Sequence, residues 1–207
     1  ALADHGDGNY AYIDSALEAR RVLVEEMGGT LFTVAKDVKL QVEFNPGRVK
    51  GYRLIGYENR LMAAEDFADD ARDGGEIGAG HRVTVLYELA MADSPMDIPG
   101  SDLSYQAASP TGSGDYFTLS VRYKAPDGEK STLLEYPMGE EIAVETPSED
   151  SAFAAGVAEF GMLLRDSQYK GTASYGGIVG RLSRLPGVAE DGYKAEFLEL
   201  VRGRLEQ

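Results

Sequence analysis

The sequence predicts an α+β fold: an antiparallel β-sandwich followed by a C-terminal helical cap. Three observations predict it. Between residues 38 and 138, several short runs alternate apolar and polar side chains, the period of a strand with one wet face. From Thr146 onward the apolar residues recur at helical spacing instead. Turn formers, Asn45-Pro46-Gly47 and Asp127-Gly128, punctuate the alternating stretches.

Asn9-Tyr10-Ala11-Tyr12-Ile13 is rich in strand formers and predicts a short strand. Ser15 with Glu18 three residues on is a capping box, in which each side chain satisfies the other's free backbone N–H. Ala16, Ala19, Leu23 and Met27 follow at helical spacing, and Gly28-Gly29 supplies a left-handed stop, so a helix is predicted over 16–27.

Val38, Leu40, Val42 and Phe44 alternate with Lys39, Gln41 and Glu43, and the strand they predict is expected to turn at Asn45-Pro46-Gly47. It would pair with a return strand, Val49 to Tyr57, as an antiparallel hairpin. Residues 58–80 are acidic and end in glycines, which predicts a loop. HRVTVLYEL, 81–89, predicts a third strand, and 92–115 a long excursion. YFTLSVRYKA, 116–125, and Ser131 to Met138 predict a hairpin around Asp127-Gly128.

Thr146-Pro147-Ser148-Glu149 is a second capping box with proline at a favoured first position. Phe153, Val157, Phe160 and Leu164 mark one helical face behind it. A second helix is predicted from Tyr175 to Leu185, and a third around Tyr193, Phe197, Leu200 and Val201. These patterns divide the chain into 1–36, 37–146 and 147–207, with the last segment covering the sandwich.

Composition narrows function. The 207 residues carry a formal charge of −15, which opposes nucleic-acid phosphates and anionic membrane surfaces. There is no cysteine, so disulfides, thiolate nucleophiles and cysteine-bound zinc are excluded. With His5 and His81 as the two imidazoles, a multi-histidine metal site within the chain is nearly excluded as well. No apolar stretch approaches the roughly 18 residues that cross a bilayer, and no signal peptide is visible.

Few constellations carry chemistry. Asp66, Asp69, Asp70, Asp73 and Glu76 are the candidate metal ligands, since hard oxygens at such density suit Ca²⁺. The competing expectation is a solvated loop that protects a sheet edge. Asp4, Asp7 and Asn9 lie among glycines, where turn chemistry explains them more simply. His81 with Asp73 and a serine could form a hydrolytic triad, but no Gly-x-Ser-x-Gly elbow accompanies them, and a loop-anchoring histidine is favoured. Gly176-Gly177-Ile178-Val179-Gly180 lacks the lysine and hydroxyl of a phosphate loop and predicts close helix packing. Tyr52, Tyr57, Tyr116, Tyr123 and Tyr136 could line a binding face, although sheet propensity accounts for the same placements.

Several long stretches, GNYAYIDS, EARRVLVEEMGGTLFTVAKDVKLQVEFNP, YRLIGYENR and GEIGAGHRVTVLYEL, resemble the C-terminal half of bacterial von Willebrand factor type A (VWA) domain proteins. The likeness runs over most of the chain. It implies that Asn9 to Ile13 is the last strand of a VWA sheet, 16–27 its final helix, and the remainder an accessory region of unknown function. It also implies an exported or membrane-anchored protein of the bacterial cell envelope, a lipoprotein among the expectations, whose VWA domain serves adhesion or assembly. The Asp-x-Ser-x-Ser motif that opens the VWA Mg²⁺ site is missing from the sequence, so that site is carried over to no residue here. The resulting expectation is a non-enzymatic region that binds protein partners, including the rest of the VWA domain, with a homodimer possible through an open sheet edge. The alternatives are a module for a small ligand, carbohydrate or Ca²⁺, and more weakly a hydrolase centred on His81.

Overall fold

A computed structural model describes residues 10–57, 60–98 and 113–205. Asp4, His5, Asp7 and Asn9 lie outside the described residues. The fold is α+β with an antiparallel sheet and several helices, and the chain divides into two compact units. One comprises residues 1–53, 57–83 and 89–142; the other comprises 54–56, 84–88 and 143–207.

The first unit is built on a four-stranded sheet ordered β3-β1-β5-β6, from Gly75–Gly78, Thr33–Phe44, Phe117–Lys124 and Ser131–Met138. The β5–β6 hairpin forms around Asp127-Gly128 as predicted, with Phe117 opposite Met138 and Lys124 opposite Ser131. The expected hairpin of residues 38–57 does not form. β2, Val49–Ile55, pairs with β4, Leu86–Met91, in a separate two-stranded sheet. β1 pairs instead with β3 and β5, and Asn45 extends the second of these ladders by donating its N–H to the Tyr116 carbonyl at 2.9 Å. The turn at Asn45-Pro46-Gly47 is real, with the Gly47 N–H on Asn45 Oδ1 at 2.9 Å, but it leads into another sheet. A local turn signal cannot tell these outcomes apart, because β3 and β5, the strands that flank β1, both lie far along the chain from the turn.

Opposed residues of an antiparallel pair share a face. The β1–β5–β6 register therefore puts Leu40, Val42, Phe44, Leu119, Val121, Leu134 and Tyr136 on one face. Lys39, Gln41, Glu43 and Arg122 occupy the other. Phe44 packs on Tyr52 and Phe117, ring centroids 4.5 and 5.8 Å apart, so one of the predicted tyrosines serves packing.

The N-terminal segment departs from expectation. Tyr10 to Ile13 forms no strand, since no neighbouring strand pairs with it among the described residues. The helix starts where predicted: the Ser15 hydroxyl accepts from the Glu18 N–H at 3.1 Å. It then runs as an α-helix, α1, over Ala16–Arg20, a π-helical turn over Arg21–Glu25, and a second α-helical turn, α2, over Met27–Leu31. Gly28-Gly29 therefore does not stop it. β4 also begins later than the 81–89 pattern predicts, and His81 to Val85 lies exposed without regular structure.

The second unit is helical. α3, Glu149–Leu164, is capped by Ser148, whose hydroxyl accepts from the Ser151 N–H at 3.2 Å. The cap is Ser148, not Thr146: Ser148 has extended backbone angles and Glu149 already belongs to the helix. α4, Tyr175–Leu182, and α6, Gly192–Arg202, are capped by Ser174 and Asp191. Between them, Pro186 opens the short α5, Pro186–Glu190, which no periodicity announced. Phe160, Ile178, Leu182, Val188, Leu198 and Val201 form the core. Phe160 and Phe153 both meet Phe197 edge-on, with centroids 5.4 Å apart. Each such buried apolar side chain stabilises the unit by about 1.5–3 kcal/mol. The glycine that close packing requires is Gly156 on α3 rather than those of 176–180: a Cβ there would lie 2.9 Å from both Leu182 methyls.

Candidate functional site

Four of the five candidate metal ligands, Asp66, Asp69, Asp70 and Asp73, belong to a loop that lies against the basic face of β1 and β5, and Glu76 stands on β3. The loop opens with a 3₁₀ turn, Ala64–Phe67. The Asp66 carboxylate pairs with Arg72 Nε at 3.0 Å, and Asp69 Oδ1 accepts from the Ala71 N–H at 2.9 Å. Asp70 Oδ2 accepts from the Ser131 N–H on β6, 3.4 Å away, and contact with Ser131 holds its carboxyl below the usual carboxylate range. Asp73 and Glu76 also have partners within the chain. Among the described residues, no three acidic or imidazole side chains gather around a position that could hold a metal ion. The acidity is directed at the chain's own cations and backbone donors.

Those cations sit at consecutive positions of one register, Lys36 opposite Lys124 and Lys39 opposite Arg122. Lys39 is buried, 5% exposed, although it lies in a strand whose apolar partner Leu40 is half exposed. Its ammonium donates to the carbonyls of Asp66 and Asp69, at 3.3 and 2.5 Å. Lys124 donates to the Asp70 carbonyl at 2.9 Å and pairs with the Asp37 carboxylate at 2.7 Å. The Arg122 guanidinium lies 5.5 Å from the Phe67 ring centroid, and its Nη1 donates to Ser131 Oγ at 2.8 Å. Its Nε is buried without a hydrogen-bond partner among the described residues.

A bulge in β1 makes this arrangement possible. The register slips between Lys36 and Lys39, and Asp37 takes a left-handed backbone conformation, φ +52°. Its carboxylate then meets Lys124 and accepts from the Gly74 N–H at 3.3 Å. Lys124 first, and Gly74 after it, hold the Asp37 carboxyl below its ordinary range, while Asp37 raises Lys124 above the ordinary lysine range. Sequence reasoning singled out the acids and missed the cations. The signal was Lys39, a charged residue in an alternating strand, together with the paired Arg122 and Lys124.

Two apolar surfaces complete the inventory. Among the described side chains of residues 10–34 no large one is buried: Tyr10 is 80% exposed, Val24 68% and Phe32 67%, with Tyr12, Ile13, Leu23 and Met27 also exposed. On the polar side of this segment, Arg21 pairs with Glu18 and Glu26. In the helical unit, Phe153, Val157 and Leu164 of α3 line a cleft of about 620 Å³ with Ile55 and Leu86. Of the predicted face of α3, Phe160 lies in the core and Phe153 packs against it, whereas Val157 and Leu164 are exposed. His81 is exposed beside the turn in which its N–H bonds the Gly78 carbonyl at 3.0 Å. Tyr116 carries the Arg48 guanidinium over its ring, while Tyr57 and Tyr136 are exposed.

Comparison with known proteins places the chain in a family. It is 42% identical over 204 residues to a protein of Escherichia coli (strain K12) called uncharacterized protein YfbK, a match that takes in 97% of this chain. The chain spans 35% of that relative's length. No solved structure matches it. The family model described as "Uncharacterized protein YfbK, C-terminal" matches residues 29–205, so the chain belongs to the YfbK C-terminal family.

Proposed function

We propose that this region is a non-enzymatic interaction module of an exported bacterial VWA-domain protein, acting by protein–protein contact at the cell envelope. In this proposal its two sheets make an antiparallel β-sandwich, the helical unit caps it, and residues 10–27 complete a VWA domain. One observation carries it: residues 10–34 hold a row of large apolar side chains that nothing in the chain covers among the described residues. Burying such a row against a protein surface is favourable in proportion to its area. Ion pairs of Arg21 with Glu18 and Glu26 satisfy the opposite side of the segment, which leaves the apolar side for a partner. The family model begins at residue 29, so most of this segment lies ahead of it, while the match to YfbK takes in nearly the whole chain. That is the pattern of an element shared with a neighbouring module.

A photo-crosslinking amino acid at Val24, compared with one at the exposed Glu140, tests the proposal in cells. Capture of a VWA-containing polypeptide at Val24 and not at position 140 is expected. Equal capture at both sites, or none at Val24, would overturn it.

A further inference from the structure

We propose that the basic face of β1 and β5 is a receptor for an acidic peptide, and that loop 64–73 is the chain's own occupant of it. This rests on different residues from the apolar segment and stands apart from that proposal.

The face is anomalous in a chain of net charge −15. Like charges directly opposed across two strands destabilise a sheet, yet Lys36 faces Lys124 and Lys39 faces Arg122 in adjacent rows. Asp37 of β1 pairs with Lys124, and an acidic segment lies on Lys39, Lys124 and Arg122. That segment shows what the face takes: carbonyl oxygens on Lys39 and Lys124, an aromatic ring on Arg122, and a carboxylate on the Ser131 N–H of the adjoining strand.

The loop's own hold is weak in kind. Of residues 64–73, all but Asp66 and Phe67 are exposed, so little apolar area is buried and the attachment is polar. Segments of this sort open locally at low free energy. Opening also restores water to the Lys39 ammonium, which closure removes from solvent. Closure leaves the Arg122 Nε–H buried without an acceptor among the described residues, a group that costs free energy until it is satisfied. A partner carboxylate reaching Arg122 in bidentate fashion would satisfy it, which the loop does not do. An acidic segment with an aromatic and one well-placed carboxylate therefore competes with the loop.

The probe is a fluorescein-labelled synthetic peptide of residues 64–73, Ala-Glu-Asp-Phe-Ala-Asp-Asp-Ala-Arg-Asp, titrated into the full chain by fluorescence anisotropy. The double variant Phe67→Ala, Asp70→Asn loosens the chain's own loop. It is expected to bind the peptide at least about tenfold more tightly than the unsubstituted chain, and adding Arg122→Gln removes that gain. Equal affinity with and without the double substitution, no binding by either, or a gain that survives Arg122→Gln overturns the proposal. Hydrogen exchange on the unsubstituted chain needs no variant to fold. Excess unlabelled peptide should accelerate exchange of the Ala71 and Gly74 amides and leave the β5 amides unchanged. No acceleration beyond that given by the same peptide with asparagine at every aspartate would overturn it equally.

Discussion

Asp37 and Lys124 meet across the break in the β1–β5 ladder, carboxylate to ammonium at 2.7 Å, and each shifts the other toward its charged form. The Asp37 carboxyl is lowered on folding. Its contribution is therefore complete above the unfolded carboxylate pKa, about 3.9, and is lost as pH falls through the lower folded value. Lys124 is raised, so its contribution is complete below the unfolded lysine value and is lost as pH rises through the higher folded one. Asp37→Asn should lower the Tm by a few degrees throughout neutral pH. The difference from the unsubstituted chain should begin to shrink below about pH 4, where the unfolded carboxyl protonates, and should vanish once pH falls below the lower folded value. Thermal unfolding followed by circular dichroism across pH reads this directly, and a difference independent of pH down to the acid limit would contradict the pairing.

Gly74 closes the same loop for a reason of space. A Cβ at this position would lie 2.6 Å from the Asp37 carbonyl carbon, a backbone atom that cannot swing aside. Gly74→Ala is expected to cost about 1–3 kcal/mol, the usual range for forced overpacking, and to speed exchange of the Ala71 amide. Gly80 is a useful contrast, because a Cβ there meets no atom within 4 Å and its φ of +79° is what restricts it. Gly80→Asn should therefore be milder than Gly80→Val, since asparagine enters the left-handed region more readily than a β-branched residue. Urea midpoints of the variants check both statements.

The start of α3 separates two candidate caps. Ser148 provides the hydroxyl that accepts from the Ser151 N–H, so Ser148→Ala should cost about 1 kcal/mol. Thr146 stands two residues ahead of the observed cap, and Thr146→Ala should leave the denaturation midpoint nearly unchanged. A larger loss at Thr146 than at Ser148 would restore the cap that spacing alone predicts.

These residues show where sequence was a good guide. Asp127-Gly128 marks the β5–β6 turn because both strands lie within a few residues of it, so local chemistry decides the pairing. Asn45-Pro46-Gly47 marks a turn equally well but misleads about the partner, since β1 is claimed by β5 from far along the chain. The helical segments were legible where Ser15 acts within one turn of its own backbone and where apolar residues recur at helical spacing, while the caps Ser174 and Asp191 were not singled out. Which side of α3 packs was legible only in part, through Phe153 and Phe160, because the rest depends on Leu182 seating over Gly156. The acidic loop announced itself by composition. Its target did not, because Lys39, Arg122 and Lys124 become neighbours only through the β1–β5 register, and the bulge at Asp37 has no signal in the sequence.

Gly156 sets two effects of opposite sign against each other. In the interior of α3, alanine improves helix propensity by about 1 kcal/mol over glycine. The new methyl would lie 2.9 Å from both Leu182 methyls, and Leu182 is 1% exposed with no open side to move toward. Overpacking of a filled core costs about 1–3 kcal/mol, so Gly156→Ala should be destabilising overall by about 1 kcal/mol. Leu182→Ala alone should cost about 2–5 kcal/mol through lost burial and the cavity it leaves. In that background the sign at position 156 should reverse, because the added methyl enters vacated space and the propensity gain remains. A double-mutant cycle by urea denaturation measures the coupling, which should favour the paired substitution. Additive losses would mean that α3 and α4 do not approach each other at Gly156 and Leu182.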